Sequence, residues 1–347
     1  MQVTLETARR LCRAVFRRIE APEHIAQIAI EGLIEADLRG IDSHGIQLLP
    51  LYLDLVDGGR LHASREPEIV VETPASAVLD AHQGDGFYAS MEATRRVIDK
   101  ARGSGLAAAV VRQNNHNGAI SHYAIQAARQ GLIGLAATAC APRVTPFAGK
   151  RGLHGTNPIA YGIPAGAGDP IVFDFSTGFS AAKLKAQALR AGGQLPVDAV
   201  LDSDGRPSTE LEDLTSGWIL PVAGPIGYGF GLLVDALCCG LADSPIGQQI
   251  PPLSRTDLPY HGTFFIMALD PAVFGGSEAF ARRVQSLLEQ IGAIEALDPD
   301  QPVRFPGQRG WEERRQRWRQ GIPIADTAWE QLLQALAERG VATAAWE

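Results

Sequence analysis

Between Glu68 and Gly178 short runs rich in β-branched and apolar residues alternate with longer segments of helical spacing, and this alternation restricts the fold more than any other feature. The runs are Ile69–Val71, Ala77–Leu79, Leu106–Val111, Ile133–Thr138 and Ile171–Phe173, with helices at about 88–102 and 119–130 between them. Strands interleaved with helices bury their apolar sides only by packing as layers, so the fold class is α/β with a mixed sheet.

The flanks are helical. Residues 4–39 carry apolar residues at helical spacing (Leu5, Ala8, Leu11, Cys12, Val15, Phe16, then Ile25, Ile28, Ala29, Leu33), broken at Pro22. Asp42-Ser43-His44-Gly45 opens a third helix, with Ser43 equally suited to be an N-cap or a functional group. Downstream come a helix around 180–191, a turn at Leu201–Pro207, a buried helix over Tyr228–Leu241, a strand at Phe264–Ala268, and helices near 277–291 and 325–339. A chain of 347 residues exceeds the usual single core. Residues 1–66 and 277–347 are therefore expected to form a helical lobe beside a sheet domain of 67–276.

Composition excludes several partners. A net charge of −8 with interspersed signs offers no field for nucleic acid or anionic lipid, although Arg304–Arg319 is locally basic. Four cysteines (Cys12, Cys140, Cys238, Cys239) lack metal-ligand spacing and disulfide density, which fits a reducing cytoplasm. Met1–Glu20 is charged and amphipathic, and no uncharged run reaches spanning length. None of the eight histidines pairs at i, i+4, so no metal is expected.

Chemistry concentrates in a few turns. His44 and His116, the latter in Asn114-Asn115-His116-Asn117-Gly118, sit in polar glycine-flanked segments, and imidazole carries protons near neutral pH. In Gly155-Thr156-Asn157-Pro158 the threonine offers a short hydroxyl donor and Gly155 permits close backbone approach. Asp174 ends an apolar run where a carboxylate caps amides or accepts a ribose hydroxyl. Cys140, without a cationic neighbour in sequence, reads as a wall residue. Gly84-Asp85-Gly86-Phe87-Tyr88-Ala89 matches a dinucleotide fingerprint, but His82 and Gln83 separate it from the preceding strand, so a plain turn competes with a phosphate cradle.

The ordered motifs Ser43-His44-Gly45, Asn115-His116, Gly155–Ala160, Asp174–Thr177, Gly227-Tyr228-Gly229, Phe264–Ile266 and Phe305–Arg309 resemble the type-2 malate/L-lactate dehydrogenase family, which includes ureidoglycolate and sulfolactate dehydrogenases, diketogulonate reductase and cyclic imino-acid reductases. The resemblance runs nearly end to end. It implies a non-Rossmann mixed-sheet domain, a helical region from both chain ends, NAD or NADP as cofactor, and an intertwined homodimer. By the same resemblance, His116, Asn117, Gly118, Ala119, Ile120, Cys140, Asp174, Phe175 and Ser176 line the cofactor. Gly307 and Gln308 either reach it or serve a helix entry. Thr156, Gln47, Leu48 and Tyr52 take substrate positions, Ser43 and His44 form a proton relay, and His116 is a second acid/base candidate. The implied reaction is hydride transfer to or from a small-molecule 2-oxo/2-hydroxy acid or cyclic imino acid.

Three positions depart from the family pattern. Leu48 stands where the family carries an arginine that grips the substrate carboxylate, Leu184 replaces a relay aspartate or lysine, and Ile226 replaces a lysine. Either the enzyme serves a bulkier or less acidic substrate in a specialised pathway, with Arg143 or Lys185 standing in as the cation, or the scaffold has been repurposed for binding or non-redox work.

Overall fold

The computed structural model describes residues 1–190, 192–252, 255 and 258–343. A short strand β1 (Gln2–Val3) leads into helices α1 (Leu5–Arg18), α2 (Glu23–Leu38) and α3 (Leu49–Asp57). The Thr4 hydroxyl caps α1 by accepting the Thr7 N–H at 3.1 Å, and Ala8, Leu11, Cys12, Val15 and Phe16 form its buried stripe. Asp42 does not open a third helix directly. Two 3-10 turns, Asp42–His44 and Ile46–Leu48, intervene because Gly45 between them is extended.

Next come β2 (Glu68–Glu72), β3 (Ser76–Asp80), α4 (Gly86–Ser104), β4 (Leu106–Asn114), α5 (Ser121–Arg129), β5 (Ile133–Ala139), β6 (Ile159–Ile163) and β7 (Ile171–Phe175). A small unit follows, made of α6 (Ala181–Arg190), β8 (Val200–Leu201), β9 (Pro207–Ser208), α7 (Asp213–Ser216) and β10 (Trp218–Ile219). The chain finishes with α8 (Pro225–Asp235), β11 (Gly262–Leu269), α9 (Ser277–Ala293), α10 (Gln308–Gln320), β12 (Ile322–Pro323) and α11 (Asp326–Glu338). The expected helix near 180–191 corresponds to α6, and residue 191 lies outside the described residues.

The central sheet runs β2-β3-β4-β11-β5-β6-β7. Only β3 and β4, joined through α4, are parallel; the remaining neighbours are antiparallel. The sheet is thus mixed, with β11 inserted late in the chain between β4 and β5. Close packing of α5 depends on small residues: a Cβ on Gly134 would lie 2.7 Å from the Ala127 Cβ, and one on Gly162 would lie 2.5 Å from the Ala124 carbonyl oxygen.

A separate apolar core joins both chain ends. Leu11, Phe16, Leu33, Tyr52 and Leu53 pack with Ile322, Trp329, Leu332 and Leu336, while β1 pairs with β12. Helix α9 stands apart from this core: none of its residues is buried, and it packs on the turn Pro271–Val273. Several elements differ from the sequence expectation. β6 is a strand where only a motif was read. α10 is a helix where only a basic stretch was noted, because its residues show no apolar stripe. The segment read as a buried helix is α8 followed by a π turn (Ala236–Gly240), and its outer side leaves Ile226, Phe230, Leu232 and Leu233 exposed.

Candidate functional site

A cleft of about 610 Å³ opens where the His44 turns, the β4–α5 connection, the ends of β5 and β6, and the α7–β10 unit meet. Its lining includes His44, His116, Asn117, Gly118, Cys140 and Thr156 from the predicted set. Sequence reasoning missed Thr138, Trp218, Pro252, Tyr260 and Gly262 on the same walls, since they lie in segments without a motif.

The two histidines face each other, ring centroids 5.8 Å apart and planes 23° apart. His116 Nδ1 lies 2.8 Å from the Tyr52 hydroxyl and accepts a longer bond, 3.4 Å, from the Gly118 N–H. An N–H pointing at Nδ1 requires that nitrogen to be unprotonated, so Tyr52 also donates and the imidazole proton resides on Nε2. Burial, and then the neighbouring His44, push the His116 pKa down to about 3, keeping it neutral at physiological pH. Burial also lowers His44, while the Asp174 carboxylate pulls it back up. His44 Nδ1 lies 2.9 Å from the Ser43 hydroxyl, and Ser43 is exposed. Tyr52, expected against the substrate, is instead fully buried beneath His116.

The His44 turns are held from behind. The Asp37 carboxylate, on the buried side of α2, accepts the Ile46 N–H at 2.9 Å. It fills the space of a Gly45 side chain: a Cβ there would lie 1.7 Å from Asp37 Oδ1, so only glycine fits. From α10, Arg317 donates to the Asp37 carbonyl at 2.7 Å and to the Asp42 carboxylate at 2.5 Å. An aspartate among the apolar residues of Ile34–Leu38 was the only sequence sign of this anchor.

His116 is seated on the Gly84-Asp85-Gly86 turn. Asn115 donates to the carbonyls of Arg60, Gln83 and Gly84, and Asp85 caps α4 through the Tyr88 N–H at 2.9 Å. A Cβ on Gly86 would lie 2.3 Å from the His116 carbonyl oxygen. The fingerprint is a packed turn, and the room a phosphate needs is filled by the His116 segment.

The Thr156 wall is equally fixed. Asn157, at φ 33°, accepts the Cys140 N–H at 3.1 Å and donates to Asp235 at 2.7 Å, and Asp235 also binds His154 Nδ1 at 2.6 Å. The Thr156 carbonyl receives both the N–H and hydroxyl of Thr177, and the Ser176 hydroxyl, 3.2 Å from it, makes its shorter bond, 2.7 Å, to the Gly178 carbonyl. Burial raises the Cys140 thiol to about 11, leaving it a neutral wall group.

The other predicted residues fall around the cleft. Asp174 accepts the Ser121 N–H at the start of α5, 3.1 Å away, in keeping with its capping role. Phe175 packs beside Phe173 and Phe230, and Ala119 and Ile120 are buried. Gln308 takes the helix-entry role, accepting the Phe305 N–H and donating to Glu312, while Gly307 at φ +90° lets the chain pass Val172. Gln47 is exposed, and Leu48 leans on the core formed by the chain ends. Leu184 is buried in the small α6–α7 unit with Ala188, Val200 and Leu214, and Ile226 is exposed on α8. Among the described residues no group of three metal-ligating side chains gathers, and no helix is long and apolar enough to cross a membrane.

Beside His116, Gly118, Thr138, Cys140 and Gly262 leave a slot with small walls. These walls combine small side chains with the hydroxyl of Thr138, the thiol of Cys140 and the neutral imidazole of His116.

Residues 3–333 match the family described as malate/L-lactate dehydrogenase. L-sulfolactate dehydrogenase of Methanocaldococcus jannaschii is 30% identical, covering 97% of this chain and 96% of its own length. The solved structure of the sulfolactate dehydrogenase from that organism superposes with a TM-score of 0.89 over 98% of both chains. Ureidoglycolate dehydrogenase (NAD(+)) of Escherichia coli K12 is 32% identical over 93% of this chain and 91% of its own. The delta1-piperideine-2-carboxylate reductase structure from Pseudomonas syringae pvar. tomato, 29% identical, superposes with a TM-score of 0.85 over 96% of this chain and 99% of its own.

Proposed function

The chain belongs to the malate/L-lactate dehydrogenase family, and from that membership we propose an NAD- or NADP-dependent reductase acting on a 2-oxo acid or cyclic imino acid with a bulky apolar substituent. One observation carries the reading. A neutral His116, fixed by Tyr52 and Gly118, faces His44 in a cleft also lined by Trp218, Tyr260 and Pro252. The donor pair for reduction is present, and the apolar wall suits a larger substrate than lactate or malate.

Gly118, Thr138, Cys140 and Gly262 would hold a nicotinamide ring, which would supply the hydride when bound. The protein's own groups manage the charge left behind. His116 Nε2–H donates to the substrate oxygen or nitrogen as it becomes negative, and the Tyr52 hydroxyl keeps the other ring nitrogen an acceptor. Tyr52 is a poor proton source, because burial holds its pKa well above the ordinary phenol range. The net proton enters through His44, whose Ser43 partner is open to solvent. Thr156, held by its carbonyl, presents its hydroxyl to the cleft beside Cys140.

A homodimer is part of the same proposal. Phe173, Ile226, Phe230, Leu232, Leu233 and Leu241 are exposed together with the edge strand β7, and an apolar surface of this kind needs a cover in water.

Calorimetric titration of nucleotide-free protein with NADH and NADPH tests the reading. Micromolar binding of one of them is expected, followed by faster nucleotide oxidation with phenylpyruvate than with pyruvate. Absence of binding to both would leave a repurposed scaffold as the better account.

A further inference from the structure

We propose that Arg143 is the specificity residue that grips the substrate carboxylate, a role that rests on the reductase reading above. Arg143 is the only arginine or lysine among the described residues lining the cleft. Lys185, the other candidate from the sequence, lies exposed on α6 and is not part of that lining.

Its backbone is stitched on both sides. The Arg143 N–H donates to the His154 carbonyl at 2.6 Å, and its carbonyl accepts the Ile219 N–H at 2.9 Å, so it bridges the Thr156 segment and β10. The guanidinium is tethered as well: Nη1 donates to the Thr215 carbonyl at 3.0 Å and Nη2 to the Leu214 carbonyl. These two bonds use two of five N–H donors. The other three have no acceptor among the described residues, and no carboxylate lies within ion-pair distance there. Burial lowers the Arg143 pKa, as expected of a partly desolvated cation with no carboxylate beside it among the described residues.

A planar fork held at two carbonyls keeps Nε–H and one N–H on each terminal nitrogen for binding a carboxylate. Leu48 cannot compete for that role, since it leans on the core of the chain ends. This puts the anion site on the α7–β10 side of the cleft, next to Trp218. The substrate class follows: an acid whose carboxylate meets Arg143 while its apolar group lies against Trp218 and Tyr260.

The experiment measures binding to the full-length protein saturated with its nucleotide, using phenylpyruvate and its methyl ester as probes, for the wild type, R143Q and R143K. Nucleotide affinity is measured first on each sample. The expected result is a preference for the acid over the ester of at least about ten-fold in the wild type. That preference should be abolished in R143Q and partly kept in R143K, with nucleotide affinity within about two-fold throughout. A purely structural role would weaken acid and ester alike, leaving the ratio intact. Retention of the ratio in R143Q, or its absence in the wild type, overturns the assignment of Arg143 alone. Failure of the wild type to bind either nucleotide overturns the reductase reading, and this inference with it.

Discussion

At the scale of single residues, the proton chemistry turns on how one carboxylate acts on one imidazole. His44 sits below its ordinary pKa of 6.5 because it is buried, and Asp174 opposes that by favouring the imidazolium. Reduction consumes a proton, so its rate should fall as pH rises through the His44 pKa, at a midpoint below 6.5. Asp174→Asn removes the negative charge while keeping an oxygen for the Ser121 N–H. The midpoint of the kcat/KM profile for reduction should therefore move to lower pH. An unchanged midpoint would separate Asp174 from the relay. Both histidines were legible in the sequence because glycine and amide residues surround them. The placement of Tyr52 behind His116 was not, since a tyrosine on an apolar helix stripe looks the same whether its hydroxyl meets substrate or a buried ring.

At the scale of elements, helices and strands with clear periodicity were readable, and those whose partners come from elsewhere were not. α10 shows no apolar stripe because it is held by charged contacts and by Trp311, which packs with Ile125 and Val172. Its main contribution is Arg317, which ties it to α2 and to the Asp42–His44 turn. Arg317→Gln should cost about 2–3 kcal/mol in unfolding free energy, from the loss of charge-assisted bonds. It should also lower kcat more than nucleotide affinity, because the His44 turn loses its brace while the slot beside Gly118 does not. Equal losses in both quantities would show general destabilisation instead. The Gly84–Gly86 turn gives the opposite lesson. Its residues matched a nucleotide motif, yet its two glycines, Gly84 and Gly86, admit neighbouring backbone carbonyls, because the missing Cβ atoms make room for any close backbone.

For the whole molecule, the sequence announced a mixed sheet with helices from both ends, and that is the fold. The lone β3–β4 parallel pair and the return of β11 into the middle of the sheet were not readable, because strand order depends on which edges pair, a matter of distant sequence. The proposed dimer is a property of this scale too. Sedimentation analysis should give a dimer, and Phe230→Asp, which puts a charge into the exposed apolar face beside Phe175, should yield a folded monomer. A monomeric wild type would end that proposal.

The brace between Arg317 and the His44 turn also sets an order of events during synthesis. The turn at residues 42–48 leaves the ribosome early, but the side chain that steadies it belongs to a helix closing at Gln320. Hundreds of residues must emerge before the two meet, a loop closure of high sequence separation. A nascent chain stalled short of α10 carries every histidine of the relay without its brace, so full competence waits until α10 has emerged.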